Sequence, residues 1–160
     1  MKVEIHSIRS LKRLAHKPFA PDTALISIDD FGTEFPPLEH PPAHILRLEF
    51  DDITLSDIDY ESSGRYAFRL FSKEQANQIA EFVYRHWEDC GTLICQCHYG
   101  QSRSAAVAAA ILEHFYHSGI DIFADEQERY CPNVYVFRKT LRALRNREGT
   151  YHSVKCENEG

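Results

Sequence analysis

The stretch Leu93-Ile94-Cys95-Gln96-Cys97-His98-Tyr99-Gly100-Gln101-Ser102-Arg103-Ser104 opens on a short apolar run and closes where an alanine-rich segment begins. Thr92 to Gln96 reads as a buried strand. Ser104 to His117, with Val107, Ile111, Leu112 and Phe115, reads as a buried helix that stops at Gly119. Between them stand a cysteine and an arginine six positions apart, Cys97 and Arg103. The pair alone is weak, because this composition supplies about 0.4 such pairs by chance. The strand-loop-helix setting gives it chemical meaning. A loop that wraps a phosphate needs inward-facing amides, a glycine where φ is unusual or the backbone passes closely, and a helix N-terminus aimed at the anion. Gly100 and a helix starting near Arg103 or Ser104 meet those needs.

Each residue of the loop then has a duty. Cys97, at the mouth of the amide ring and beside a guanidinium, is expected to be the thiolate nucleophile. Arg103 offers a planar fork to two phosphoryl oxygens, and the amides of His98, Tyr99, Gly100, Gln101, Ser102 and Arg103 hold the anion. Ser104 is placed to hydrogen-bond the sulfur as it leaves. Such a loop requires no metal and no cofactor, and zinc at Cys95, Cys97 and His98 is disfavoured because no second pair at ligand spacing follows. Cys95 shares a strand face with Cys97 and is read first as a small apolar side chain, with a protective disulfide to Cys97 as the alternative.

Outward from the loop, Ser72 to Glu88 reads as a helix. Ser72 and Gln75 make a capping-box pattern, and Ala76, Ile79, Ala80, Val83 and Trp87 make a stripe of period 3.6. Val3 to Ile8, Thr23 to Asp29 and His44 to Phe50 read as strands, with a short helix over Ser7 to His16. The last helix starts at Asn133 and runs through Leu144, and the chain is expected to fray over 147–160. A Pro-rich loop, Phe31 to Pro42, is an insertion within one domain spanning 1–160. The resulting class is α/β, a central mixed sheet flanked by helices, with ligands gathering at the carboxyl ends of strands.

Hydrolysis of a phosphate ester also needs a proton for the leaving oxygen. Strand His44 to Phe50 ends in Asp51-Asp52, and a parallel neighbour of the Cys97 strand delivers both carboxylates to the loop. Asp52 is favoured as the acid and Asp51 is kept as the alternative. Asp29-Asp30 is a weaker pair of the same kind, and Asp57 and Asp59 are read as loop surface.

Size and charge bound the rest. The chain has 160 residues, 43% hydrophobic and 26% charged, with a formal net charge of −6, so a general affinity for nucleic acid or acidic membranes has no electrostatic footing. Five cysteines at uneven spacing suit free thiols in a reducing compartment. With no apolar targeting segment in Met1 to Phe19 and no long apolar run, the expectation is a cytoplasmic protein, monomeric by preference.

The segment Leu93 to Ser104, followed by its alanine-rich helix, resembles the signature loop of the cysteine-dependent protein tyrosine phosphatases, nearest to compact dual-specificity and bacterial or phage-type members. The resemblance extends to His44–Asp52, similar to the strand entering the family's general-acid loop, and to the helix before the signature strand. It implies hydrolysis of phosphate monoesters through a cysteinyl-phosphate, with Cys97 as nucleophile, Arg103 and the loop amides on the phosphate, Ser104 assisting, and the acid at Asp52 or Asp51. The implied substrates are phosphorylated proteins, at phosphotyrosine and also phosphoserine or phosphothreonine, or small aryl and alkyl phosphates. The sequence departs from the family in having Gln96 where a histidine commonly precedes the cysteine. No lysine lies in His98–Ser102, unlike phosphoinositide-directed members. A non-catalytic phosphate-recognition module is the main alternative. An arsenate reductase, using Cys95 or Cys131 as resolving thiol, and a rhodanese-like enzyme are further ones.

Overall fold

Residues 1–54 and 69–158 are described by the computed structural model, with side chains up to Glu148. Asp57 and Asp59 lie outside the described residues. The elements in chain order are β1 (Lys2–Ser7), α1 (Ile8–Leu14), β2 (Thr23–Asp29), β3 (His44–Glu49), α2 (Lys73–His86), β4 (Thr92–Cys97), α3 (Arg103–Tyr116), α4 (Ile120–Phe123) and α5 (Val134–Asn158). The strands form one sheet in the order β1-β4-β2-β3.

The α/β class agrees with the sequence. The sheet is more uniform than the mixed one anticipated, since every pairing among the described strands is parallel. A parallel sheet is buried on both faces, which explains why every residue of β2, Thr23 to Asp29, is buried. Leu25 and Ile94 face one side and pack with Leu11 of α1. Ala24, Ile26, Ile28, Leu93, Cys95 and Cys97 face the other, under α2, α3 and α5.

Helix α2 starts as its sequence predicts. The Ser72 hydroxyl accepts from the Gln75 amide and the Gln75 side chain accepts from the Ser72 amide, which closes the capping box. Its stripe is buried through Val83, and Trp87 stacks on Phe115 of α3 with centroids 3.6 Å apart. Helix α3 is sheathed so fully that Arg103 to Ile111 are all buried, and its alanines let it lie close to the sheet.

Three boundaries differ from expectation. The left-handed residue ending α3 is His117 (φ 54°), and Gly119 has ordinary helical dihedrals. Gly119 is instead required by crowding, because a Cβ there would collide with the Ala109 carbonyl and the Glu113 side chain. The turn α4 was not foreseen, since four residues are too few to show a period. Helix α5 continues past Arg147 to Asn158, where fraying was expected. Among the described residues, no helix is long and apolar enough to cross a membrane.

Parallel pairing sends the carboxyl ends of all four strands to one edge. The register sets Ser7 beside Cys97 and Asp29 beside Glu49. Asp30, Phe50, Asp51, Asp52 and the loop after Cys97 therefore emerge together.

Candidate active site

The loop from Cys97 to Arg103 turns back under the start of α3. Gly100 is its pivot, at φ +72°. A Cβ at Gly100 would lie 2.6 Å from the Ser7 amide nitrogen and 2.7 Å from the His6 carbonyl carbon, so both conformation and space require glycine. The His98 carbonyl accepts from the Ile8 amide and ties the loop to the β1–α1 junction.

Cys97 lies on the floor of this loop, 3% exposed, deeper than the mouth position anticipated. The Gly100 amide donates to its sulfur at 3.3 Å, and the Ser104 hydroxyl lies 3.0 Å from it. His98, Tyr99 and Gln101 are exposed on the rim, Tyr99 most of all.

Arg103 is 4% exposed and held from one side. Its Nη1 donates to the Phe50 carbonyl at 2.7 Å and meets Asp30 Oδ1 at 2.7 Å. Its Nε is buried with no hydrogen-bond partner among the described residues, the Asp52 Oδ2 oxygen standing off at 4.0 Å. An unmet buried donor on a cation costs at least about 1–3 kcal/mol, and an anionic oxygen in the loop would remove that cost.

The two neighbouring aspartates part company. Asp52 Oδ1 accepts from the Ser102 hydroxyl at 2.8 Å and from Asn133 Nδ2 at 2.9 Å, so it belongs to the loop. Asp51 turns away to the amides of Phe31 and Arg69, at 3.3 and 2.7 Å. Ser102, at the helix start, makes no cap with its side chain and spends its hydroxyl on Asp52.

Two residues here were undervalued from sequence. Asp30, ranked below the Asp51-Asp52 pair, is the ion-pair partner of Arg103. Asn133 caps α5 as expected, its Oδ1 accepting from the Tyr135 and Val136 amides, yet its Nδ2 also braces Asp52 and the Ile53 carbonyl. Asp30 had a usable signal, its position just beyond the carboxyl end of a buried strand. The bridge from Asn133 to Asp52 spans distant parts of the chain and had none.

Gln96, in place of the familiar histidine, is fully buried; its Oε1 accepts from the Ser27 hydroxyl at 2.6 Å, and its Nε2 has no partner among the described residues. Cys95 is fully buried, and burial pushes its thiol far above the ordinary range. That suits the apolar role and leaves Cys95 a poor redox partner. Cys131 is exposed, and its amide donates to the Gln101 carbonyl.

Asp29 is 6% exposed, its Oδ2 has no hydrogen-bond partner among the described residues, and burial raises its carboxyl pKa against the opposing attraction of Arg103. The folded protein thus holds this proton more tightly than the unfolded chain, whose carboxyl titrates near about 3.9. Stability should fall as pH rises from there through the raised folded value. Asp29→Asn should remove that fall and gain roughly 1 kcal/mol at neutral pH. Urea unfolding of both proteins near about pH 4 and about pH 7 measures it.

No family model and no curated protein matches the sequence. Solved structures do. Human DUSP28 superposes at TM-score 0.52 with 17% identity, over 92% of this chain and 94% of its own. PTPMT1, solved in complex with PI(5)P, superposes at TM-score 0.55 with 12% identity, over 94% of each chain. The likeness is one of fold: the chain has the dual-specificity, protein tyrosine phosphatase-like architecture.

Proposed function

We propose that the protein is a cysteine-dependent phosphatase that hydrolyses phosphate monoesters on proteins, at phosphotyrosine and also at phosphoserine or phosphothreonine. The observation that carries this reading is the convergence of Cys97 Sγ, the Arg103 Nε that has no partner among the described residues, and the Asp52 carboxyl at one sheet edge, around a loop pinned by Gly100.

The Cys97 thiolate attacks phosphorus in line, forming an S–P bond as the P–O bond breaks. The electron pair leaves on the ester oxygen, and Asp52, protonated at the start, hands that oxygen its proton. The dianion's equatorial oxygens rest on Arg103 and the amides of His98 to Arg103, where preorganised donors stabilise charge spread through the transition state. In the second step Asp52, now a carboxylate, takes a proton from water as the water attacks phosphorus. The S–P bond breaks, the sulfur leaves as thiolate with the Ser104 hydroxyl donating to it, and inorganic phosphate is released. Asp51 has no part in either step.

The absence of lysine from His98–Ser102 favours protein substrates over phosphoinositides. The test is phosphate release from a phosphotyrosine peptide, a phosphothreonine peptide and an aryl phosphate, in chelator, with and without vanadate. Vanadate-sensitive turnover in chelator is expected. Phosphopeptide binding without release would instead select a recognition module, and arsenate-dependent disulfide formation an arsenate reductase.

A further inference from the structure

At the opposite edge of the sheet, where strands begin, three chemistry-bearing side chains meet that the phosphatase reading does not use. His44 opens β3, His86 ends α2, and Cys90 lies one turn further on, in the link to β4. His86 and Cys90 are four residues apart, and the Cys90 amide still donates to the His86 carbonyl at 2.9 Å, so helical spacing sets both on one face. The His44 and His86 rings lie 4.3 Å apart between centroids. One ligand atom from each of the three residues falls within 4.8 Å of the others.

We propose that His44, His86 and Cys90 form a binding site for one zinc-class divalent cation, which clips the end of α2 to the start of β3. Two imidazoles and a thiolate are the donor set that borderline-soft cations choose, and hard cations such as Mg²⁺ or Ca²⁺ do not. With Zn–N near about 2.0–2.1 Å and Zn–S near about 2.3 Å, tetrahedral donors stand about 3.4–3.6 Å apart, so the three atoms need to close by only about 1 Å. Water fills the fourth position.

The surroundings suit a cation. The C-terminal end of α2 presents carbonyl oxygens and the negative end of the helix dipole. Asp22 and Asp89 add negative charge near Cys90, against Arg85 near His86. The site is independent of the Cys97 loop and stands or falls separately from the phosphatase reading.

The experiment titrates the full chain with Co²⁺ alone and then Zn²⁺, comparing wild type with Cys90→Ser, His44→Gln, His86→Ala and Cys97→Ser. The expected result is one Co²⁺ per chain with thiolate-to-cobalt charge-transfer absorption, abolished in Cys90→Ser and retained in Cys97→Ser. Zn²⁺ should displace the Co²⁺ and raise the Tm of wild type, and should leave the Tm of His86→Ala unmoved. If Cys90→Ser fails to fold, His44→Gln decides, since tenfold or greater weakening of Co²⁺ binding supports the site and unchanged affinity overturns it. A wild type without charge-transfer absorption, a band that survives Cys90→Ser, or one lost in Cys97→Ser likewise overturns it.

Discussion

Cys97→Ser should lower turnover of an aryl phosphate by about 10⁴-fold or more, because it removes the group that forms the covalent intermediate. A hydroxyl in the same place is a far weaker nucleophile at neutral pH than a sulfur held by the Gly100 amide and the Ser104 hydroxyl. The loop that binds the anion should survive the change. Arg103 stays anchored through Phe50 and Asp30, and Gly100 stays packed against the Ser7 amide and the His6 carbonyl, contacts that do not involve the sulfur. Phosphopeptide affinity should therefore fall little while kcat collapses. Steady-state kinetics with a calorimetric binding measurement separates the two, and rapid quenching with labelled substrate should trap a phosphoenzyme in wild type only. Retained turnover in Cys97→Ser would remove the covalent mechanism.

Asp52→Asn should lower kcat by about 10²–10⁴-fold and flatten the alkaline limb of its pH profile, since asparagine has no proton to deliver to the leaving oxygen. The loss should shrink for substrates whose leaving group is already acidic, because they need less protonation. Asp51→Asn should behave differently. Asp51 holds the Phe31 and Arg69 amides, so its replacement should loosen the entrance to the acid loop and disturb KM more than kcat, leaving the alkaline limb in place. Asn133→Ala offers an intermediate case, removing the brace on Asp52 Oδ1 without removing the acid. pH-rate profiles of an activated and an unactivated aryl phosphate across the Asp51 and Asp52 variants test the assignment. An Asp51 variant that loses the alkaline limb while the Asp52 variant keeps it would reverse the roles.

Local signals carried much of this architecture. Ser72 and Gln75 announce α2 because a capping box is settled within four residues. The buried run of β2 and the alanine-rich start of α3 are visible because burial on every side leaves no polar face to alternate. The loop of Cys97, Gly100 and Arg103 is legible for a related reason, as its geometry arises from a strand end, one glycine and a helix start, all contiguous in the chain. Asp51-Asp52 reach the same edge for a different reason than expected: β3 is not the neighbour of the Cys97 strand, since β2 lies between them, but all three strands run parallel and so end on one side.

What the chain alone determined about this protein is therefore its class, the order of its strands and longer helices, and the loop proposed here to hold an anion, since those follow from neighbours within a few residues. Only the tertiary structure decided which aspartate joins the loop, that Asp30 grips Arg103, that Asn133 braces Asp52, and that His44 meets His86 and Cys90. Each of those pairings joins segments far apart in sequence, and their geometry is set by strand register and helix packing, which no short window of sequence encodes.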